Sequence, residues 1–284
     1  NAAGRLGKAD NGFHLLTAID LKEAKKLAQE LNVINQERKD IQKLVQDEAE
    51  YLIDREVNLE EDLVIVLASE NFHSGVIGIV ASRIVEKYFR PVVLIALENS
   101  IGKGSGRSIP HFNLHRALTE CASHLVQFGG HAYAAGLTIN ENNLDSFRKA
   151  INEVGRRILS DENLVPELFL DESLKISEID ETLYEQVTLL EPFGAENPPP
   201  IFLIQDVSIH GLKMIGRDES HVRFQAIQGD AGIDAVGFNL AKEFTSIDKK
   251  LDKVDLACEF QVNDWGGRNK LELKVLDLRY SVER

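Results

Sequence analysis

The sequence predicts an α/β domain preceded by a long connecting helix and followed by a small β-barrel. Three observations carry this. Apolar residues recur at helical spacing from Leu21 to Ile53, short Val/Ile/Leu runs alternate with helical stretches between 61 and 160, and short alternating strands with Gly-rich turns follow 161. A chain of 284 residues with 43% hydrophobic content can build more than one core.

Taken in order, Gly4, Gly7 and Gly12 are expected to break regular structure before Ala18. Asp20, with Glu23 three residues on, is a candidate N-cap. Leu21, Ala24, Leu27, Ala28, Leu31, Ile34, Ile41, Leu44, Val45, Ala49, Leu52 and Ile53 then mark one face of a single long helix ending near Glu56. Leu63–Ala68 and Val92–Leu97 read as buried strands around a helix from Gly75 to Phe89, an order that implies parallel pairing. Further helices are expected at Asn113–Val126 and Leu144–Leu159, with a strand at Gly136–Ile139. After 161 a helix near Ile176–Leu190 precedes strands at Ile201–His210, Gly211–Ile215, His221–Ile227, Ile233–Gly237, Val254–Val262 and Lys270–Leu278.

The chain carries a net charge of −14, yet from Asn99 to Asn140 Glu120 is the one acidic residue, while Lys103, Arg107, Arg116 and four histidines lie there. Keeping negative charge away from one window points to an anionic ligand, and phosphate is the commonest. Within it, Ile101 to Ile109 reads Ile-Gly-Lys-Gly-Ser-Gly-Arg-Ser-Ile. The alternating glycines are expected to form a loop whose N–H groups cradle an anion, with Ser105 and Arg107 adding side-chain donors. Phe128-Gly-Gly-His131 follows, a turn in which Gly129 and Gly130 let a ligand approach the main chain and His131 offers an imidazole.

Other chemistry is constrained. Cys121 and Cys258 stand far apart in sequence, against a disulfide framework and in keeping with a reducing cytoplasm. No apolar run approaches the roughly 20 residues of a membrane span. His111, His115, Cys121 and His124 are near one another in sequence, but His111 falls before the expected helix start, so no metal site is expected there. In the β-rich part, Trp265 beside Gly266 and Gly267 is a candidate for base stacking. Phe224 and Phe238 read more readily as core, and Lys213, Arg217, Arg223 and Arg268 are candidate strand contacts.

Gly-Ser-Gly-Arg-Ser at 104–108, Phe112-Asn-Leu-His115 and Phe128-Gly-Gly-His131 with Ala134-Ala-Gly136 together resemble the DHH-associated domain of the RecJ family of single-strand-specific exonucleases. Asn1 to Leu6 resembles the end of that family's DHH catalytic domain. Glu191-Pro-Phe-Gly-Ala-Glu-Asn-Pro198 resembles the entry to its OB-fold domain. The resemblance implies a tail of a truncated DHH domain at 1–19, a connecting helix at 20–60, a DHH-associated domain at 61–160 and an OB-like domain at 161–284. It implies 5′→3′ single-stranded-DNA exonuclease activity in bacterial cytoplasmic DNA repair and recombination, with Mn or Mg held outside this chain, other repair proteins as candidate partners, and no activity in the fragment alone. It also implies that Arg5, Ser105 and Arg107 hold the 5′ phosphate, that Asn35 faces the same site, and that His131 lies near the scissile bond. A DHH-type phosphoesterase acting on short oligonucleotides or nucleotides is the alternative, and a non-enzymatic docking module a third reading.

Overall fold

The computed structural model describes residues 2–7, 9–194, 196–245, 253–263 and 270–281. They form two compact units, Asn1–Pro166 and Glu167–Arg284.

In the first unit the N-terminal segment is helical, contrary to the expectation from its glycines: α1 spans Ala3–Leu6 and α2 spans Asp10–Thr17. A glycine in a helix costs only about 1 kcal/mol, and packing of Ala3 can offset that. Helix α3 covers Leu21–Glu56, and the Asp20 carboxylate accepts from the Glu23 backbone N–H at 3.1 Å, the expected N-cap. Its buried positions, Gln42, Val45, Ala49, Leu52 and Ile53, all lie in the C-terminal half. Leu21 and Leu44, read as part of the apolar face, are exposed.

A five-stranded sheet follows, built from β1 (Ile65–Ser69), β2 (Val92–Glu98), β3 (Ile101–Arg107), β4 (Gln127–Gly130) and β5 (Ala134–Asn140) in the order β1-β2-β3-β5-β4. Only β1 and β2 are parallel, joined by α4 (Ile77–Tyr88); the remaining pairs are antiparallel. Alternation of side chains splits the core in two. Val64, Val66, Val93 and Ile95 face α5 (Leu114–Glu120) and α6 (Leu144–Ile158), whereas Ile65, Leu67, Val92 and Leu94 face α3 and α4. The helix expected at Asn113–Val126 is shorter, giving way to a 3-10 turn at Ala122–His124. At the outer edge of the sheet, beside β1, the buried Asn152 of α6 donates to the Val64 carbonyl at 3.0 Å and accepts from the Val64 N–H at 2.9 Å.

The main correction concerns residues 101–107. They form no anion-binding loop. β3 is a central strand, in register with β2 on one side and β5 on the other, so its main-chain groups belong to the sheet. Its glycines serve packing. A Cβ at Gly102 would stand 2.5 Å from Ile95, at Gly104 2.7 Å from Leu137, and at Gly106 2.7 Å from Leu114. Lys103, Ser105 and Arg107 alternate with these glycines and so lie on the opposite face of the strand.

In the second unit, β6 (Glu172–Ser173) and α7 (Glu181–Thr188) precede β7 (Phe202–Ile215), β8 (His221–Gln228), β9 (Ala231–Gly237), α8 (Ala241–Thr245), β10 (Val254–Asn263) and β11 (Lys270–Tyr280). The two strands expected over 201–215 are one, and the helix near 176–190 is a 3-10 turn at Ile176–Glu178 followed by α7. The order β7-β8-β9-β11-β10 closes through an additional β10–β7 pairing, which makes a five-stranded barrel of the OB type. Ile204, Val207, Val222, Phe224, Leu256 and Val275 fill it. Phe224 is thus core, while Phe238 is 48% exposed.

Candidate phosphate site and family

Arg107 is the centre of the site in the first unit. Its Nη1 donates to Ser105 Oγ at 3.2 Å and to the Gly106 carbonyl at 2.7 Å, and among the described residues Nη2 has no hydrogen bond and the guanidinium no carboxylate partner. Burial, and next the positive charge of Arg5, pull its pKa below the usual arginine value. Like charge nearby and loss of water both disfavour the charged guanidinium.

The end of α4 brings these groups together. A Cβ at Gly78 would stand 2.9 Å from Arg107 Nη2 and 3.0 Å from Ser105 Oγ, so Gly78 is the opening through which both side chains reach the helix. Arg5 Nη1 donates to the Gly75 carbonyl at 3.4 Å, and a Cβ at Gly75 would lie 2.1 Å from the Arg5 carbonyl oxygen. His73 Nδ1 accepts from the Gly75 N–H at 3.0 Å, which leaves Nε2 as the ring's donor. Sequence reasoning missed His73, Gly75 and Gly78; the signal was a pair of glycines three apart where an apolar helix opens, with a histidine two residues ahead.

His131 lies at the same end of the sheet. Arg107 pairs with Ala134 across β3 and β5, and the His131 N–H donates to the Ala134 carbonyl at 2.8 Å. Ser108 N–H and Leu114 N–H hold the turn by bonding Tyr133 O and Ala132 O at 3.0 and 2.9 Å. Gly130 adopts φ 142°, and a Cβ there would stand 2.4 Å from the Ala134 carbonyl oxygen; Gly129 faces open space. The His131 side chain is exposed and its ring makes no hydrogen bond among the described residues. It is free to donate to a ligand.

Other candidates fall elsewhere. Asn35 lies on α3, where its Oδ1 accepts from Arg38 Nε and Nη2 at 3.2 and 3.1 Å, and no contact joins it to Arg5 or Arg107. Arg223 is engaged by the buried Glu272 at 2.6 Å rather than free for a phosphate. Trp265 and Arg268 lie outside the described residues. Cys121 and Cys258 are both buried and unpaired. Among the described residues no cluster of three or more His, Cys, Asp or Glu could hold a metal ion. No described helix is long and apolar enough to cross a membrane.

An α/β unit with a five-stranded mixed sheet, followed in the chain by a closed five-stranded barrel, defines a two-domain class. The DHHA1 domain family model matches residues 61–156 and the RecJ OB domain model matches residues 170–277. The chain is 32% identical over 283 residues to the single-stranded-DNA-specific exonuclease RecJ of Bacillus subtilis, covering 99% of this chain and 36% of that protein. To the RecJ of Haemophilus influenzae it is 32% identical, covering 97% and 49%. The crystal structure of Thermus thermophilus RecJ in complex with Mn2+ superposes with a TM-score of 0.80 at 29% identity, over 98% of this chain and 39% of that one. The chain belongs to the RecJ family, and it spans half or less of the length of these relatives.

Proposed function

We propose that this chain is the strand-gripping part of a cytoplasmic 5′→3′ single-stranded-DNA exonuclease of DNA repair and recombination. Arg5, Ser105 and Arg107 take the terminal 5′ phosphate. His131, beside Gly129 and Gly130, donates to a non-bridging oxygen of the scissile phosphodiester, where negative charge develops. Hydrolysis itself runs on Mn or Mg held by a DHH domain outside these residues, and the chain alone is inactive. The observation that carries the reading is a pair of arginines at one end of α4, Arg5 on the Gly75 carbonyl and Arg107 beside Gly78, the latter with no carboxylate partner among the described residues. A terminal phosphate has a charge that an internal phosphodiester lacks, so this pair discriminates an end from a middle.

The test is fluorescence anisotropy of the chain with 5′-phosphorylated and 5′-hydroxyl single strands. Wild type favours the phosphorylated strand, and Arg107→Ala removes that preference, about ten-fold for a charge-assisted contact. If Arg107→Ala weakens both strands by one factor, Arg107 is a general contact and the end-reading role is wrong.

A further inference from the structure

Among the described residues of the first unit, Phe13, Tyr51 and Tyr133 carry the most exposed aromatic rings, at 64%, 60% and 60%. Two of them are engaged. Phe13 meets the His14 ring edge-on with centroids 5.8 Å apart, and the Arg55 guanidinium stands 5.2 Å from the centre of the Tyr51 ring. Tyr133 differs: among the described residues its ring packs on no other ring or cation, and its hydroxyl makes no hydrogen bond.

The main chain that carries this ring is fixed. Ser108 N–H donates to the Tyr133 carbonyl at 3.0 Å, Leu114 N–H to the Ala132 carbonyl at 2.9 Å, and His131 N–H to the Ala134 carbonyl at 2.8 Å. A backbone ordered in advance leaves two side-chain torsions to settle when a ligand arrives, so the ring is a low-cost contact.

Its place is equally defined. Ser108 follows Arg107 directly, Ala134 is the cross-strand partner of Arg107, and His131 lies two residues before Tyr133. Tyr133 thus stands on the stretch that links the group assigned to the terminal phosphate with the group assigned to the scissile one. In a strand held at both phosphates, the nucleotide between them is the terminal one, and none of the residues described so far meets its base. No acidic residue occurs from Cys121 to Asn140, so nothing in this segment repels the flanking phosphates.

We propose that the Tyr133 ring receives the base of the 5′-terminal nucleotide and is a specificity-determining residue for the strand end. The proposal rests on the phosphate roles assigned to Arg107 and His131. Stacking accepts any base but grows with ring area, so a purine end is held more tightly than a pyrimidine end, and an end without a base least of all.

The test uses 5′-phosphorylated single strands that differ at the terminal nucleotide, which is adenine, thymine or abasic, with anisotropy as the readout. Wild type binds the adenine end about ten-fold tighter than the abasic end, with thymine between them. Tyr133→Leu removes the ranking and Tyr133→Phe keeps it, since the first loses the π face and the second retains it. A second readout places 2-aminopurine at the terminal or at an internal position. Its fluorescence falls on binding in the terminal strand, and Tyr133→Leu abolishes that fall. The preference for a 5′ phosphate over a 5′ hydroxyl survives in Tyr133→Leu; its loss together with the ranking would make Tyr133 a prop of the turn and overturn the proposal. A ranking unchanged in Tyr133→Leu, with the Arg107-dependent phosphate preference intact, overturns the base contact alone. Absence of binding to any strand by wild type overturns the strand-gripping reading and this proposal with it.

Discussion

Arg107 Nη2 stands where a side chain on Gly78 would need to be, 2.9 Å from the position of its Cβ. The relationship separates recognition from folding, because the obstructing group is the tip of a flexible side chain. Gly78→Ala is expected to leave thermal stability unchanged or raise it by up to about 1 kcal/mol, since alanine favours the helix. It should reduce the preference for a 5′-phosphorylated strand about ten-fold by displacing Arg107 and Ser105. Gly75→Ala is expected to behave in the opposite way. Its Cβ would meet the Arg5 main chain at 2.1 Å, so the docking of α1 is lost and the melting temperature falls. Melting curves beside anisotropy on both variants decide the matter.

His131 and Gly130 should part company in a similar manner. In an active nuclease that contains this chain, His131→Ala slows cutting of phosphorylated and unphosphorylated ends alike, by about two orders of magnitude for one lost transition-state donor. Gly130→Ala acts through the backbone, because φ 142° and a 2.4 Å approach to the Ala134 carbonyl oxygen both exclude a side chain. It should lower stability as well as rate. A His131→Ala enzyme that cuts at the wild-type rate would remove the imidazole from the chemistry.

Asp255 gives the barrel a defined response to acid. Burial pushes its pKa up, but hydrogen bonds from Ser281, the Asp206 N–H and Arg279 outweigh burial and leave it below the usual carboxylate value. A carboxyl whose folded pKa is depressed contributes stability above its unfolded pKa, near 3.9, and that contribution is lost as pH falls through the folded value. Asp255→Asn is therefore expected to melt lower at neutral pH and to lose less on acidification. Parallel acid-dependence curves for the two proteins would exclude this role.

The cysteines report on the two units separately. Burial pushes Cys121 up to about 11 and Cys258 up to about 12, with Glu120 and Glu259 adding to the respective shifts. Neither should react with a thiol reagent at mildly alkaline pH in the native protein, since the thiolate is the nucleophile. As denaturant rises, labelling of Cys121 marks opening of the first unit and labelling of Cys258 that of the second. Rapid native labelling of either would show that its unit opens locally.

Much of this architecture was legible in the sequence. The α3 N-cap at Asp20, the alternation along β11 and the apolar runs of β1 and β2 are local signals, and tertiary packing agrees with each of them. The segment 101–107 was misread because a glycine at every second position is also what a loop offers. The distinguishing feature was period two, which places all three glycines on the face covered by Ile95, Leu114 and Leu137. That cover comes from residues distant in sequence, so no local rule reveals it. The convergence of Arg5, Gly75 and Gly78 with Arg107 was hidden for the same reason, since contacts across 70 positions leave no spacing to read. Nothing in the alternation of β11 marks Glu272 as buried, because its partners Gln261 and Arg223 come from other strands.

The bond pair between Asn152 and Val64 has a meaning beyond packing. A parallel strand at the border of a sheet carries a ladder of open main-chain groups, and such ladders recruit copies of themselves. Here one amide of α6 imitates the first rung of a neighbouring strand and closes the ladder at its entrance. Two residues on, Arg148 Nε donates to the Val66 carbonyl at 3.1 Å, so side chains of one helix stand in for the strand this border lacks.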